Sequence, residues 1–254
     1  MVMGSCSFGP RLANHDTRDM KGYTSSNKVL SPTVSYTHHS AIVNDVQYNP
    51  KIGHLIGSVS DDLSLQIIDT RKPGSEAALK AENGHDDAIN SISHNPATEF
   101  IVATGSSDKT IGIWDLRNLK IKLHSLVGHQ DAVTSLDWHP HVESVLGSSS
   151  YDRRIIFWDL SKVGEEQTPE DAEDGAPEMY DFFMSPPTLY ADIFSPSLFM
   201  HGGHTNRISD FSWNLNDPWV VCSAAEDNLV QVWKVANSII GKEVDDVPLD
   251  ELEG

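Results

Sequence analysis

Four histidines set the architecture of this chain, because each opens the same fixed interval. His39, His85, His129 and His204 stand 19 residues before a Ser or Thr (Ser58, Thr104, Ser148, Ser223) and 23 before an Asp (Asp62, Asp108, Asp152, Asp227). Trp, or an apolar substitute, follows at 29: Ile68, Trp114, Trp158 and Trp233. The starts lie 46, 44 and 75 residues apart, and no insertion breaks the internal register. A constant interval of this kind is the sequence form of a repeat architecture, in which each unit is one supersecondary element. His, Ser and Asp together could be mistaken for a nucleophilic triad. Repetition decides against it: an active site is wanted once, whereas four copies at one spacing suit a scaffold whose buried polar side chains are paired.

Each repeat carries three short alternating runs that predict strands, as in Ile42 to Tyr48, His54 to Val59 and Leu65 to Ile68. The later third strands are Thr110 to Trp114, Arg154 to Trp158 and Leu229 to Trp233. Turn signals divide the runs, at Asn49-Pro50, Asn95-Pro96 and His139-Pro140 and at the Asp-containing turns. Outer strands are expected near Ala77 to Ala81, Ile121 to Val127 and Leu198 to Met200. The chain is therefore expected to be all-β. Residues 1–29 lack periodicity and read as disordered, residues 30–240 hold the repeats, starting near 38, 84, 128 and 203, and residues 241–254 form an acidic tail. A strand signal from Lys28 to Tyr36 has no preceding repeat to join. Residues 163–197 are an insertion between the third and fourth repeats, and a loop of that length in a compact domain is functional or disordered.

Charge points to the kind of partner. Against 18 basic side chains stand 37 acidic ones, a balance of -19, which disfavours direct binding of nucleic acid and favours a basic partner. Glu165 to Glu178 hold seven carboxylates and Glu243 to Glu253 six, with no Lys or Arg in either. Only Cys6 and Cys222 occur, too few for a disulfide framework, and Cys222 is expected to pack as a small hydrophobe. The opening residues lack the apolar core of a signal peptide, and no apolar run reaches membrane-spanning length. Residence in the nucleus and cytoplasm is expected.

Gly84-His85 with Trp114-Asp115, and Gly128-His129 with Trp158-Asp159, carry a resemblance to the WD-repeat family. The first repeat departs with His38-His39 and Ile68-Asp69, and the fourth replaces the last Asp with Lys234. The resemblance implies a β-propeller of four recognisable blades, partial relative to a seven-bladed parent with further blades upstream. It sharpens at Tyr36 to Pro50, Ala103 to Lys120, Tyr151 to Gly175 and His201 to Asn214, which resemble the retinoblastoma-associated histone-binding proteins and, within them, the fungal subunit 2 group of type B histone acetyltransferases.

That resemblance implies a non-catalytic subunit with core histones, an acetyltransferase catalytic subunit and chromatin assembly factors as partners. It places a histone helix against an acidic loop, Glu170, Asp171, Glu173 and Asp174, where carboxylates accept bidentate hydrogen bonds from Arg. Phe199 and Met200 match the apolar pair beside it. The pattern departs in three places: Ala176-Pro177 replaces a double proline, no N-terminal helix is recognisable in residues 1–29, and Met179 to Ser197 intrudes between loop and pair. The intruding stretch has the length of a short retained intron, with a lineage-specific loop as the alternative. A second surface, the narrow face of the propeller, would accept an Arg- and Lys-rich tail at Asn44, Asn90, Tyr151, Arg153, Glu226 and Asn228, with Glu226 as the cation acceptor.

Two other readings compete. Trp114-Asp115-Leu116-Arg117 matches a pattern by which some WD-repeat proteins dock on a ubiquitin-ligase adaptor, with only Arg117 carrying information beyond the fold. An enzyme finds little support: there is no phosphate-binding Gly-rich loop and no His or Cys cluster with metal spacing, so neither cofactor nor metal is expected. His124, His139, His141 and His201 are scattered and suit turn or surface roles.

Overall fold

The computed structural model describes residues 36–72, 78–82, 84–162, 197–236 and 239. Alternating side chains form strands that pair antiparallel with their chain neighbours. Blade 1 holds β1 (Val43–Tyr48), β2 (Leu55–Ser60), β3 (Leu65–Asp69) and β4 (Ala78–Ala81). Blade 2 holds β5 (Ile89–His94), β6 (Ile101–Ser106), β7 (Thr110–Asp115) and β8 (His124–Val127). Blade 3 holds β9 (Val133–Trp138), β10 (Val145–Ser150), β11 (Ile155–Asp159) and β12 (Ser197–His201), and blade 4 holds β13 (Ile208–Trp213), β14 (Val220–Ala225) and β15 (Val230–Lys234). The expected inner and outer strands are all present. Blade 4 has three strands among the described residues. The segments expected to be disordered, the strand signal before Tyr36, the inserted residues 163–196 and the acidic tail lie outside the described residues.

The recurring polar residues are tied into one hydrogen-bonded chain per blade. In blade 3, His129 Nδ1 lies 2.8 Å from Asp152, its Nε2 lies 2.7 Å from Ser148 Oγ, and the Trp158 indole N–H donates to the same Oγ at 2.8 Å. A carboxylate only accepts, so in the neutral ring Nδ1 carries the proton and Nε2 accepts from the hydroxyl. Blade 2 repeats the chain through His85, Asp108, Thr104 and Trp114, and blade 4 through His204, Asp227, Ser223 and Trp233. Blade 1 keeps the His39 contacts to Asp62 and Ser58, but Ile68 has no side-chain N–H to give. The hydroxyls and rings are consumed in holding strands together, as repetition required.

Apolar seams join the blades. Ile92 and Trp114 of blade 2 pack on Leu65 and Ile67 of blade 1, Leu136 and Trp138 of blade 3 on Ile111 and Ile113, and Phe211 and Trp213 of blade 4 on Ile155 and Phe157. The approach is close: an added Cβ at Gly147 would come within 2.7 Å of Phe211. Side-chain amides and hydroxyls latch the seams, in one row across the first two and in a second row across all three. At one end Asn49 Nδ2 donates to Glu99 O and Asn95 Nδ2 to Glu143 O, both at 2.9 Å. At the other, Asn44 Nδ2 donates to Ile89 O, Asn90 Nδ2 to Val133 O and Thr134 Oγ1 to Ile208 O.

The outermost faces of the stack are open. Val46 and Tyr48 occupy the β1 positions at which Ile92 and His94, Leu136 and Trp138, and Phe211 and Trp213 are buried, yet they are 56% and 62% exposed. Val230 and Val232 of β15, which match the buried Leu65 and Ile67, are 69% and 71% exposed. Cys222 lies on that same face, at the position of Gly57, Ala103 and Gly147, and is exposed rather than packed. The expectation of a buried thiol treated β14 as an inner strand of a covered blade, and no described blade covers it.

Candidate functional site

One end of the propeller is built from two loops per blade, held in register by a backbone bond. The residue 22 beyond each His donates its N–H to the carbonyl 3 beyond that His: Asp61 to Ile42, Ser107 to Ala88, Tyr151 to Ala132 and Glu226 to Arg207. Two residues on, Leu63, Lys109, Arg153 and Asn228 adopt left-handed φ of 62°, 73°, 71° and 64°. Such values are uncommon for side chains other than Asn or Asp. The repeat Asp holds each turn by accepting backbone N–H groups, as Asp152 does from Gln130 and Arg154.

All six narrow-face residues expected from sequence lie at this end. Tyr151, Arg153, Glu226, Asn228 and Asn44 are exposed and Asn90 is half-buried. Asn44 also donates to Asp61 Oδ1 at 2.7 Å and Asn90 to Ser107 Oγ at 3.0 Å, so both amides are engaged in seams as well as facing the loops. Sequence reasoning missed Arg207, whose guanidinium lies over the Tyr151 ring, 4.8 Å from its centroid, across the seam between blades 3 and 4. Its signal was legible as the only charge at a position otherwise held by Ile42, Ala88 and Ala132.

The acidic loop, Glu170, Asp171, Glu173 and Asp174, lies outside the described residues. Phe199 and Met200 are half-buried in β12 on opposite faces: Phe199 packs 6.0 Å from both Phe157 and Trp233, and Met200 joins the seam behind blade 3. Arg117 is clipped to Asp115, with Nη2 2.6 Å from Oδ2, and lies over the Phe100 ring. Arg71 clips Asp69 in the same way in blade 1, so the pair recurs in blades 1 and 2, whereas blade 3 has Asp159 with Ser161 and blade 4 has Lys234 in place of the Asp.

Electrostatics separate two sets of carboxylates. Burial pushes the repeat aspartates up, but the His and backbone hydrogen bonds, joined at Asp62 and Asp108 by a hydroxyl, outweigh it, and Asp62, Asp108, Asp152 and Asp227 all ionise below the usual carboxylate range. Asp137, on the innermost strand of blade 3, is pushed the other way, up to about 7, by burial and then by the charge of Asp210. His94 and His139 are driven down to about 4, chiefly by burial, and are neutral at pH 7. His139 replaces the Asn of its turn, with Nδ1 accepting from His141 N and Val142 N. Among the described residues no group of three or more His, Cys, Asp or Glu is arranged to hold a metal, and no helix is long and apolar enough to cross a membrane.

The family described as "WD domain, G-beta repeat" matches residues 78–115, 120–159 and 195–234. With the four antiparallel sheets and their His-hydroxyl-Asp ties, these matches make the chain a WD-repeat protein with the fold of a partial β-propeller. Over 236 residues, 92% of its length, it is 62% identical to the histone acetyltransferase type B subunit 2 of Aspergillus oryzae. Identity to the proteins of that name from Aspergillus fumigatus and Neurospora crassa is 61% and 58% over the same share of the chain. The chain spans about half the length of these curated relatives.

Proposed function

We propose that the chain serves as the non-catalytic, histone-binding subunit of a type B histone acetyltransferase, presenting core histones, notably histone H-four, to the catalytic subunit and to chromatin assembly factors. The observation that carries this reading is the identity of 58–62% over 92% of the chain to proteins named histone acetyltransferase type B subunit 2. Charge supports it: a balance of -19 suits basic histones and opposes direct contact with nucleic acid. Two surfaces serve the partner, the acidic loop with Phe199 and Met200 beside it, and the narrow face with Glu226 as cation acceptor. Its four candidate triads are scaffold ties, which leaves the chemistry to the partner subunit. The protein works in nucleus and cytoplasm, where histones are made and delivered.

The test is an acetyl-transfer assay on purified histones with the type B catalytic subunit, with and without the 254-residue chain. The reading expects no transfer by the chain alone and faster transfer by the pair at limiting histone. Equal rates with and without the chain contradict it. Asp171→Lys with Asp174→Lys, set against Glu226→Lys, assigns the effect to loop or face.

A further inference from the structure

Tyr151 and Arg207 both depart from what the repeat requires, and they touch each other. At the Tyr151 position the backbone task is done equally by Asp61, Ser107 and Glu226, and at the Arg207 position by Ile42, Ala88 and Ala132. The fold therefore needs neither an aromatic ring nor a guanidinium here. Both are exposed, on opposite sides of the seam between blades 3 and 4, with the cation 4.8 Å from the ring centroid. That is within the range in which a ring quadrupole attracts a cation, an interaction of about 0.5–1 kcal/mol at exposed sites. Glu226, exposed, is one backbone hydrogen bond from Arg207.

We infer that Tyr151 and Glu226 form a guanidinium-binding subsite on the narrow face, and that Arg207 is its resident competitor, displaced by an arginine of a basic peptide. The inference rests on the proposed histone-binding role and adds selectivity to it. A planar guanidinium stacks on an aromatic face and pairs with a carboxylate at its edge, whereas an ammonium does so less well. A tail arginine gains only the difference between its own contacts and those Arg207 gives up. The platform thus discriminates against weakly matched cations.

The experiment is a fluorescence-anisotropy titration of the full chain with a labelled Arg-rich peptide, and with the same peptide carrying citrulline at each arginine. Arg207→Ala is expected to tighten binding of the arginine peptide about two- to fivefold, the worth of the contact released. Citrulline should abolish the gain, and so should adding Tyr151→Ala. Arg207 is exposed, so the melting temperature of the single variant should match wild type and exclude a folding artefact. Unchanged or weaker binding by Arg207→Ala overturns the competitor role; if Glu226→Lys still weakens the peptide, the narrow face nonetheless stands as a binding surface. Absence of binding by every variant removes both the subsite and the narrow-face reading.

Discussion

The side-chain amide of Asn95 in blade 2 donates to the carbonyl of Glu143 in blade 3 at 2.9 Å, while its Oδ1 accepts the N–H groups of Ala97 and Thr98 at 2.8 Å. One side chain thus closes its own turn and fastens the next blade. Asn95 is 3% exposed, so its loss leaves buried backbone groups without partners, at a cost of about 1–3 kcal/mol. Asn95→Ala is expected to lower the unfolding free energy by that amount, and Asn95→Asp, which keeps the turn acceptor but sets a buried carboxylate oxygen against the Glu143 carbonyl, by at least as much. Urea titration with both variants separates the turn from the latch.

The repeat aspartates make stability depend on acid. Their folded ionisation lies below the unfolded range near 3.8, so the stabilisation is fully present above that range and is lost as pH falls through the folded values. Melting temperatures recorded from pH 6 down to pH 2 are expected to drop steeply below about pH 4. Asp152→Asn should lower the pH 6 value and flatten part of that descent. An unchanged slope would show that the His129 and Asp152 pair does not carry it.

Asp137 has the opposite sign. Raised from 3.8 to about 7, it is protonated more readily in the folded state, so its contribution is best at low pH and falls as pH rises from 3.8 through about 7. Asp137→Asn should therefore gain on wild type across that window, by up to about 1.4 kcal/mol per pH unit, and by a constant amount above it. Paired thermal melts at pH 4, 6 and 8 read this directly.

The open faces predict self-association of the isolated chain. Contiguous apolar surface on a soluble protein marks an interaction or aggregation site, and Val46, Tyr48, Val230 and Val232 supply it at both ends of the stack. Val46→Glu with Val232→Glu should reduce light scattering at high concentration without lowering the melting temperature. Ile113→Glu, at the same strand position as Val232 but 2% exposed, should abolish folding.

Much of this was legible because a repeat exposes its own grammar. The His-to-Trp interval fixed the polar ties, since a hydroxyl and a carboxylate recurring at one distance from a ring can be paired in every copy. The Asn-Pro signals marked turns correctly, but their second task was hidden: that Asn49 and Asn95 latch the next blade depends on how sheets stack, which local sequence does not specify. Cys222 misled for the same reason, as an apolar strand is buried only if another blade covers it. The meeting of Arg207 with Tyr151 was not legible because it crosses the seam between blades 3 and 4, and residues 56 apart in sequence are brought together only by how the sheets stack. The acidic loop rests on charge and resemblance alone.

The most direct test of the histone-binding account is the affinity of purified core histones for the 254-residue chain, measured by anisotropy as salt is raised. The account predicts binding that weakens progressively with salt, because exposed charges are screened over about 8–10 Å near physiological ionic strength. It also predicts loss on Asp171→Lys with Asp174→Lys, on Glu226→Lys, or on both together. Absence of binding at low salt, or binding indifferent to salt and to all these reversals, would contradict it.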